Sequence, residues 1–357
     1  MSAETARSEA ASGPRRSWRQ AFAAYLHRRV LGMFFLGFSA GLPLLLVFAT
    51  LSGWLTEAGV TRTTIGFFSW VGLTYSTKVF WAPIVDRVRL PLLGRWLGRR
   101  RSWMLLAQSG IALGIVGMAM NDPRMGLFTT AVFALIVAFS SATQDIAIDA
   151  YRIEALDPDY QGAMAAMYVS GYRVAMLTAG AGAFFIADLS PLPLGVYDFT
   201  YWAYSYDAMA ALMGVGMITV LLIAEPKTHG LRETLAEEER TLARLRSQAK
   251  FSAFLHPILA WFHGAVICPF RDFFGRNGWS MALIILLFVG AYRLTDITLG
   301  VMANPFYLDM GFTKSEIASV AKVFGLAMTL AGTFLGGVLA LRYGVMRVLL
   351  LGAILAA

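Results

Sequence analysis

The sequence predicts an all-α integral membrane protein, on three observations. Its 357 residues are 57% hydrophobic and only 15% charged, with a mean hydropathy of +0.61, well outside the range of soluble globular domains. The apolar residues fall in blocks that reach or approach the roughly 20 residues a helix needs to cross a bilayer. Lysine and arginine gather on alternate connecting segments. A transmembrane β-barrel, built of alternating segments of about ten residues, is excluded.

Eight complete spans are expected, at about 30 to 52, 64 to 85, 103 to 120, 126 to 150, 162 to 187, 203 to 224, 280 to 304 and 314 to 340. The preceding segment, residues 1–29, mixes serine, acid and arginine without the short apolar core and small-residue cleavage site of a signal peptide, and reads as a cytoplasmic tail. Span one carries Gly37, Gly41 and Pro43, a pattern for close helix packing and for a bend around a cavity. Span two contains Lys78, and span three follows a run of arginines. Span four opens with fifteen uncharged residues, Met125 to Phe139, yet ends in SSATQDIAIDAYR. Span five holds Arg173, span seven Arg293 and Asp296, and span eight Lys322. A ninth begins near Met346, but Val348 to Ala357 is too short to cross, so a C-terminally truncated bundle is expected.

Between spans six and seven, ETLAEEERTLARLRSQAK is a charged, helix-like linker, and PILAWFHGAVICPFRDFFGRN suits a helix lying in the membrane interface or a short packing helix. The expected domains are the tail 1–29, a six-helix bundle 30–224, a cytoplasmic linker 225–279 and an incomplete second bundle 280–357.

The net charge of +8 would suit nucleic acid, but its distribution argues for a topology signal. Six arginines precede span one, six lie between spans two and three, and eight lysines and arginines lie between spans six and seven. The opposite loops carry only Arg62, Arg124 and Lys314. The N-terminus and the even-to-odd loops are therefore expected in the cytoplasm. The single Cys268 excludes an internal disulfide, and His27, His229, His256 and His263 lack zinc-ligand spacing, so neither a metal nor a cofactor is expected.

The halves resemble each other without gaps at an offset of 252 residues. WLTEAGVTRTTIG, from Trp54, matches FYLDMGFTKSEIA, from Phe306: Glu57 meets Asp309, Gly59 meets Gly311, Thr61 meets Thr313 and Arg62 meets Lys314. Two six-helix units in the same orientation are the parallel repeat of major facilitator transporters, which place substrate between the halves near the bilayer midplane.

Five stretches together carry a closer resemblance: LGFSAGLPLLL, TIGFFSWVGLTYSTKVFWAPIVDR, SSATQDIAIDAYR, GYRVAML and PFRDFFGRN. They resemble the AmpG-type muropeptide permeases. The resemblance implies a twelve-helix core in the bacterial inner membrane and proton-driven import of N-acetylglucosamine 1,6-anhydro-N-acetylmuramyl peptides. It also implies peptidoglycan recycling and a part in β-lactamase induction. The partners so implied are a sugar-peptide, protons and lipid.

Ionisable groups within spans are the informative ones, since each costs about 2.5 to 3.5 kcal/mol or more at a helix centre unless paired or hydrated. Asp145, Asp149 and Arg152 share one helical face. Two neighbouring carboxylates disfavour double ionisation, so Asp145, Asp149 and Asp296 are the proton-coupling candidates. By depth along the helices, Asp145 is expected to pair with Arg173. Lys78, Arg173 and Arg293 would meet carboxylates of an anionic sugar-peptide, Tyr75, Tyr172 and Tyr292 its sugar faces, and Gln144 its hydroxyls. Internal salt bridges are the plainer alternative for each cation, as Asp296 beside Arg293 illustrates. Asp86, Arg87, Arg152 and Glu154 are assigned to a gate, because Asp86-Arg87 and the arginines after it resemble the loop between helices two and three of major facilitators.

Two enzyme-like patterns fail. Gly37-Phe38-Ser39-Ala40-Gly41 fits a hydrolase motif but lies in an apolar helix without a histidine partner. Asp145 and Asp149 suggest a magnesium-dependent prenyltransferase, but no second aspartate cluster faces them. A carrier of another bulky anion, such as acetyl-coenzyme A, is the transporter alternative.

Overall fold

The computed structural model describes residues 18–193, 196–226, 268–310 and 325–356. Most of the tail and linker, residues 311–318 of the second repeat copy, and Lys322 lie outside them, as do the side chains of Tyr292, Arg293 and Asp296. Every regular element among the described residues is helical. In chain order these are α1 (Trp18–Ala23), α2 (Arg28–Val47), α3 (Ala49–Glu57), α4 (Arg62–Phe68), α5 (Leu73–Thr77), α6 (Ala82–Arg87), α7 (Leu93–Leu97) and α8 (Arg99–Ala119). They continue with α9 (Leu127–Ala155), α10 (Gln161–Leu177), α11 (Ala183–Ala187), α12 (Phe199–Leu222), α13 (Cys268–Asp309), α14 (Gly325–Tyr343) and α15 (Val345–Ala356).

Six stretches are long and apolar enough to cross a membrane: Arg28–Glu57, Arg99–Ala119, Leu127–Ala155, Gln161–Ala187, Phe199–Leu222 and Phe270–Ala291. Span eight is described only from Gly325, and span two differs from expectation. Instead of one helix it is a chain of short turns, α4, α5 and α6 joined through 3-10 segments Ser69–Gly72 and Lys78–Phe80. Hydroxyls compete for its backbone carbonyls: Ser69 Oγ donates to Gly66 O at 2.6 Å, and Thr77 Oγ1 to Leu73 O at 2.9 Å. Such back-bonding bends a helix, and Pro83, with no N–H, starts α6. Span one also differs. Its helix runs through Pro43 unbroken and breaks at Phe48 (φ −117°, ψ −94°), where α2 gives way to α3.

The chain divides into two compact units, residues 1–227 with 329–357, and residues 228–328. Within the first, α2 and α10 cross with backbones touching. A methyl group added at Gly37 would strike the carbonyl of Tyr168, one at Gly41 that of Tyr172, and one at Gly171 that of Phe34. Small residues at a crossing allow this approach, which supplies the dispersion contact that lipid cannot. Around it the buried side chains form two clusters stacked along the helices. One holds Leu46, Trp54, Ile111, Trp202 and Met213, and the other Met33, Leu36, Met104, Tyr151 and Val220. At the second cluster's end α14 joins the unit, with Tyr25 donating to Phe334 O at 3.0 Å and Gly162 close to Gly337 and Ala340. In the second unit α13 kinks at Gly278 (φ 71°), a left-handed conformation that favours glycine.

Gly171→Val is expected to destabilise the protein by about 3 kcal/mol or more, since rigid backbone and not a movable side chain opposes the added methyls. Thermal unfolding in detergent checks this, with Gly214→Ala, where a methyl meets open space, leaving the midpoint nearly unchanged.

Candidate functional site

The irregular span two brings a cation to the middle of α9. Trp81 fastens it there: its indole donates to Thr143 Oγ1 at 3.1 Å and its ring lies 4.8 Å from that of Phe139. Lys78 Nζ then sits 3.7 Å from Asp145 Oδ2. The other carboxylate oxygen, Oδ1, is buried and meets no protein donor. Asp145 is within electrostatic reach of the hydroxyls of Tyr75, Tyr168 and Tyr172. The last two rings stand 6.1 Å apart on successive turns of α10. The result is an ion pair with three tyrosine hydroxyls within electrostatic reach, able to hold an anion at Lys78 or a proton at Asp145.

The expected Asp145–Arg173 pair is replaced by Asp145–Lys78. The cause is azimuth: Gly171 faces α2 at the helix crossing, and Arg173, two residues and about 200° further round, is exposed, its Nη1 4.0 Å from Met176 Sδ. Gln144 is fully buried and both its amide atoms lack protein partners, so it does not line the open face. Asp149 bonds Arg152 Nη2 at 3.4 Å, one turn along α9. Tyr168 was not singled out from sequence, although its position one turn before Tyr172 puts it on the same face.

A second cluster closes the basic end of the bundle. The buried Arg100 guanidinium grips Glu154 with Nη2 to Oε1 at 2.6 Å and Nε to Oε2 at 3.1 Å, and reaches Asp86 Oδ1 with Nη1 at 2.6 Å. Arg99 adds Glu154 Oε1 at 3.3 Å and the Asp86 carbonyl at 2.6 Å. Asp86 and Glu154 therefore converge on one guanidinium, whereas Arg152 pairs with Asp149. The residue that joins them is Arg100, one of the arginines of the loop signature. Glu225 was also missed. Its carboxylate accepts the backbone N–H groups of Arg100 at 2.8 Å and Arg101 at 3.1 Å, capping the α8 N-terminus. In return Arg101 donates to the carbonyls of Val220 and Leu221 at the α12 C-terminus, each at 2.7 Å. Arg29 Nη1 donates to Ala155 O, closing α9 in the same way.

The opposite end has a third network, on the repeat motif. Trp54 stacks on Trp202 (5.8 Å, 6°) and donates to Tyr197 OH at 3.1 Å, while Tyr197 donates to Asp122 Oδ1 at 2.9 Å and Arg124 lies 4.0 Å over its ring. Burial pushes the Tyr197 hydroxyl above its usual range, so it stays a donor. Glu57 accepts from the Trp202 indole at 2.8 Å.

A helical membrane bundle with a mid-span ion pair and polar networks at both ends defines a multi-pass transporter, and the comparisons specify which. The chain is 36% identical over 316 residues to the transporter AmpG 4 of Rickettsia conorii, covering 88% of this chain and 68% of that one. It is 32% identical over 327 residues to AmpG 3 of Rickettsia prowazekii (91% and 70%) and 35% identical over 321 residues to the anhydromuropeptide permease of Escherichia coli, of which it spans 57%. A family model described as acetyl-coenzyme A transporter 1 matches residues 30–129. The chain belongs to the AmpG transporter family.

Arg100→Gln leaves two carboxylates facing a neutral amide. A loss of about 2 to 3 kcal/mol is expected, below the full cost for a buried pair because both partners are partly exposed. Unfolding midpoints of Arg100→Gln, Glu154→Gln and the double variant measure it, and additive losses would show that the two side chains act independently.

Proposed function

We propose that the protein imports anhydromuropeptides across the bacterial inner membrane by alternating access coupled to protons. Such import serves peptidoglycan recycling and, through the imported peptide, β-lactamase induction. The Lys78–Asp145 ion pair carries the mechanism, and the name of the Escherichia coli relative supports the substrate.

In the resting pair each charge satisfies the other. A substrate carboxylate that binds Lys78 takes Asp145's partner away, and a lone carboxylate in this setting is best neutralised by a proton. Substrate and proton therefore enter together, and neutral Asp145 no longer ties span two to α9. Tyr75, Tyr168 and Tyr172 offer aromatic faces and hydroxyls to the sugar rings, and Arg173 a further cation. Tyr292 and Arg293 are proposed as further substrate contacts and Asp296 as a further proton carrier. The Asp86–Arg100–Glu154 cluster, with Arg87 at its edge, is the gate, with Asp149–Arg152 tied down beside it. Charge asymmetry supports a cytoplasmic position for this basic end.

The match of residues 30–129 to an acetyl-coenzyme A transporter model favours a second reading, in which the cargo is another bulky anion.

Uptake of labelled anhydromuropeptide into proteoliposomes under an inwardly directed proton gradient tests the proposal. Lys78→Gln is expected to weaken apparent affinity at least about tenfold, the loss of one charge-assisted contact. Asp145→Asn should keep substrate exchange while losing the response to the gradient. Gradient-driven uptake by Asp145→Asn would remove that residue from coupling. Competition by acetyl-coenzyme A without any muropeptide uptake would establish the second reading instead.

A further inference from the structure

Of the six arginines from Arg87 to Arg101, Arg99, Arg100 and Arg101 turn inward to the contacts above, and Arg87 has protein contacts of its own. Arg89 and Arg95 are exposed and meet no acidic partner among the described residues. Between them Leu92 adopts φ 63° and ψ −72°, with Leu93 N bonded to Pro91 O at 2.8 Å. This is a γ-turn of the rare positive-φ kind, strained for any residue with a side chain. It holds Leu92 outward at 76% exposure, next to Trp96 at 87% and Leu93 at 38%. The Arg89 stem lies over Gly94, where an added methyl would come within 2.8 Å of Arg89 Cγ, so the basic and apolar groups are fixed side by side.

The placement identifies the partner. The loop leads directly into Arg99–Ala119, a helix long and apolar enough to cross a membrane, so a bilayer around that helix would put the loop near the lipid headgroups. There a tryptophan ring sits at the interface, leucines enter the acyl boundary and arginines attract phosphate. We propose that the 88–97 loop is a membrane-surface anchor that binds anionic glycerophospholipid, its phosphodiester held by Arg89 and Arg95 and its upper acyl chain by Leu92 and Trp96.

The test uses the full chain in nanodiscs of phosphatidylcholine alone or mixed with phosphatidylglycerol, and does not depend on the transported substrate. Quenching by phospholipid brominated near the headgroup is compared for the parent and Trp96→Phe, so that the difference reports Trp96. Brominated phosphatidylglycerol is expected to quench Trp96 more than brominated phosphatidylcholine. The pair Arg89→Gln and Arg95→Gln should lower apparent affinity for phosphatidylglycerol about 25-fold at low salt, about fivefold for each basic residue removed. Added salt should narrow that gap. Arg62→Gln, an exposed arginine at the other end, should leave the affinity unchanged and controls for general charge. Equal quenching by the two lipids, or an affinity untouched by the arginine changes, overturns the proposal. So does equal competition by soluble glycerol phosphate, which would mark a free-anion pocket, or a Trp96 signal that responds to protein concentration and not to lipid, which would mark a protein contact.

Discussion

Inside a bilayer no water stands ready to meet a charge or a bare backbone group, and the arrangement of this protein follows from that. A lone charge there costs about 2.5 kcal/mol or more, so Lys78 and Asp145 are found together, and a segment of span two is bent to bring them so. The bend is itself made by hydroxyls that satisfy the carbonyls it frees. An ion pair held in this way is stable only while both members remain, and this makes it a suitable place to exchange one partner for substrate or proton.

The same constraint shapes the helix ends. Four arginines and a glutamate leave their own helices to satisfy the backbone or carboxylates of neighbours: Arg29 on α9, Arg99 and Arg100 on Glu154, Arg101 on α12, and Glu225 on α8. Between the two ends, the crossing of α2 and α10 relies on backbone contact through Gly37, Gly41 and Gly171. Span two, the irregular part of the first unit, is the part that carries the cation.

The positions of spans one, three, four, five and six were legible because hydropathy over about 20 residues reports a property of the solvent, not of any tertiary contact, whereas the apolar stretch expected at 280 to 304 lies at Phe270–Ala291 and takes in residues expected in the linker. The roles of Gly37 and Gly41 were legible for a related reason: their spacing puts both on one face of a helix whatever it packs on. The break in span two was not, because serine and threonine bond their own backbone without changing the apolar character of the window. The partner of Asp145 was misread since residue counting gives depth along a helix but not direction around it. Tyr168 could have been found from the same helical spacing that ties Asp145 to Asp149. Glu225 could not, since nothing local marks a carboxylate that caps a helix more than a hundred residues earlier.

That cap bears on where the first bundle can be cut. Hydropathy ends span six near residue 224, and a six-helix fragment designed on that boundary would discard Glu225, leaving the first amides of α8 without their anion. Gly98 reinforces the point, for it holds φ 89° directly beneath the Glu225 carboxylate, where a larger residue would collide with it. The covalent boundary of the unit therefore runs past its last membrane-spanning residue, and an excised bundle keeps this cap only if the fragment includes Glu225.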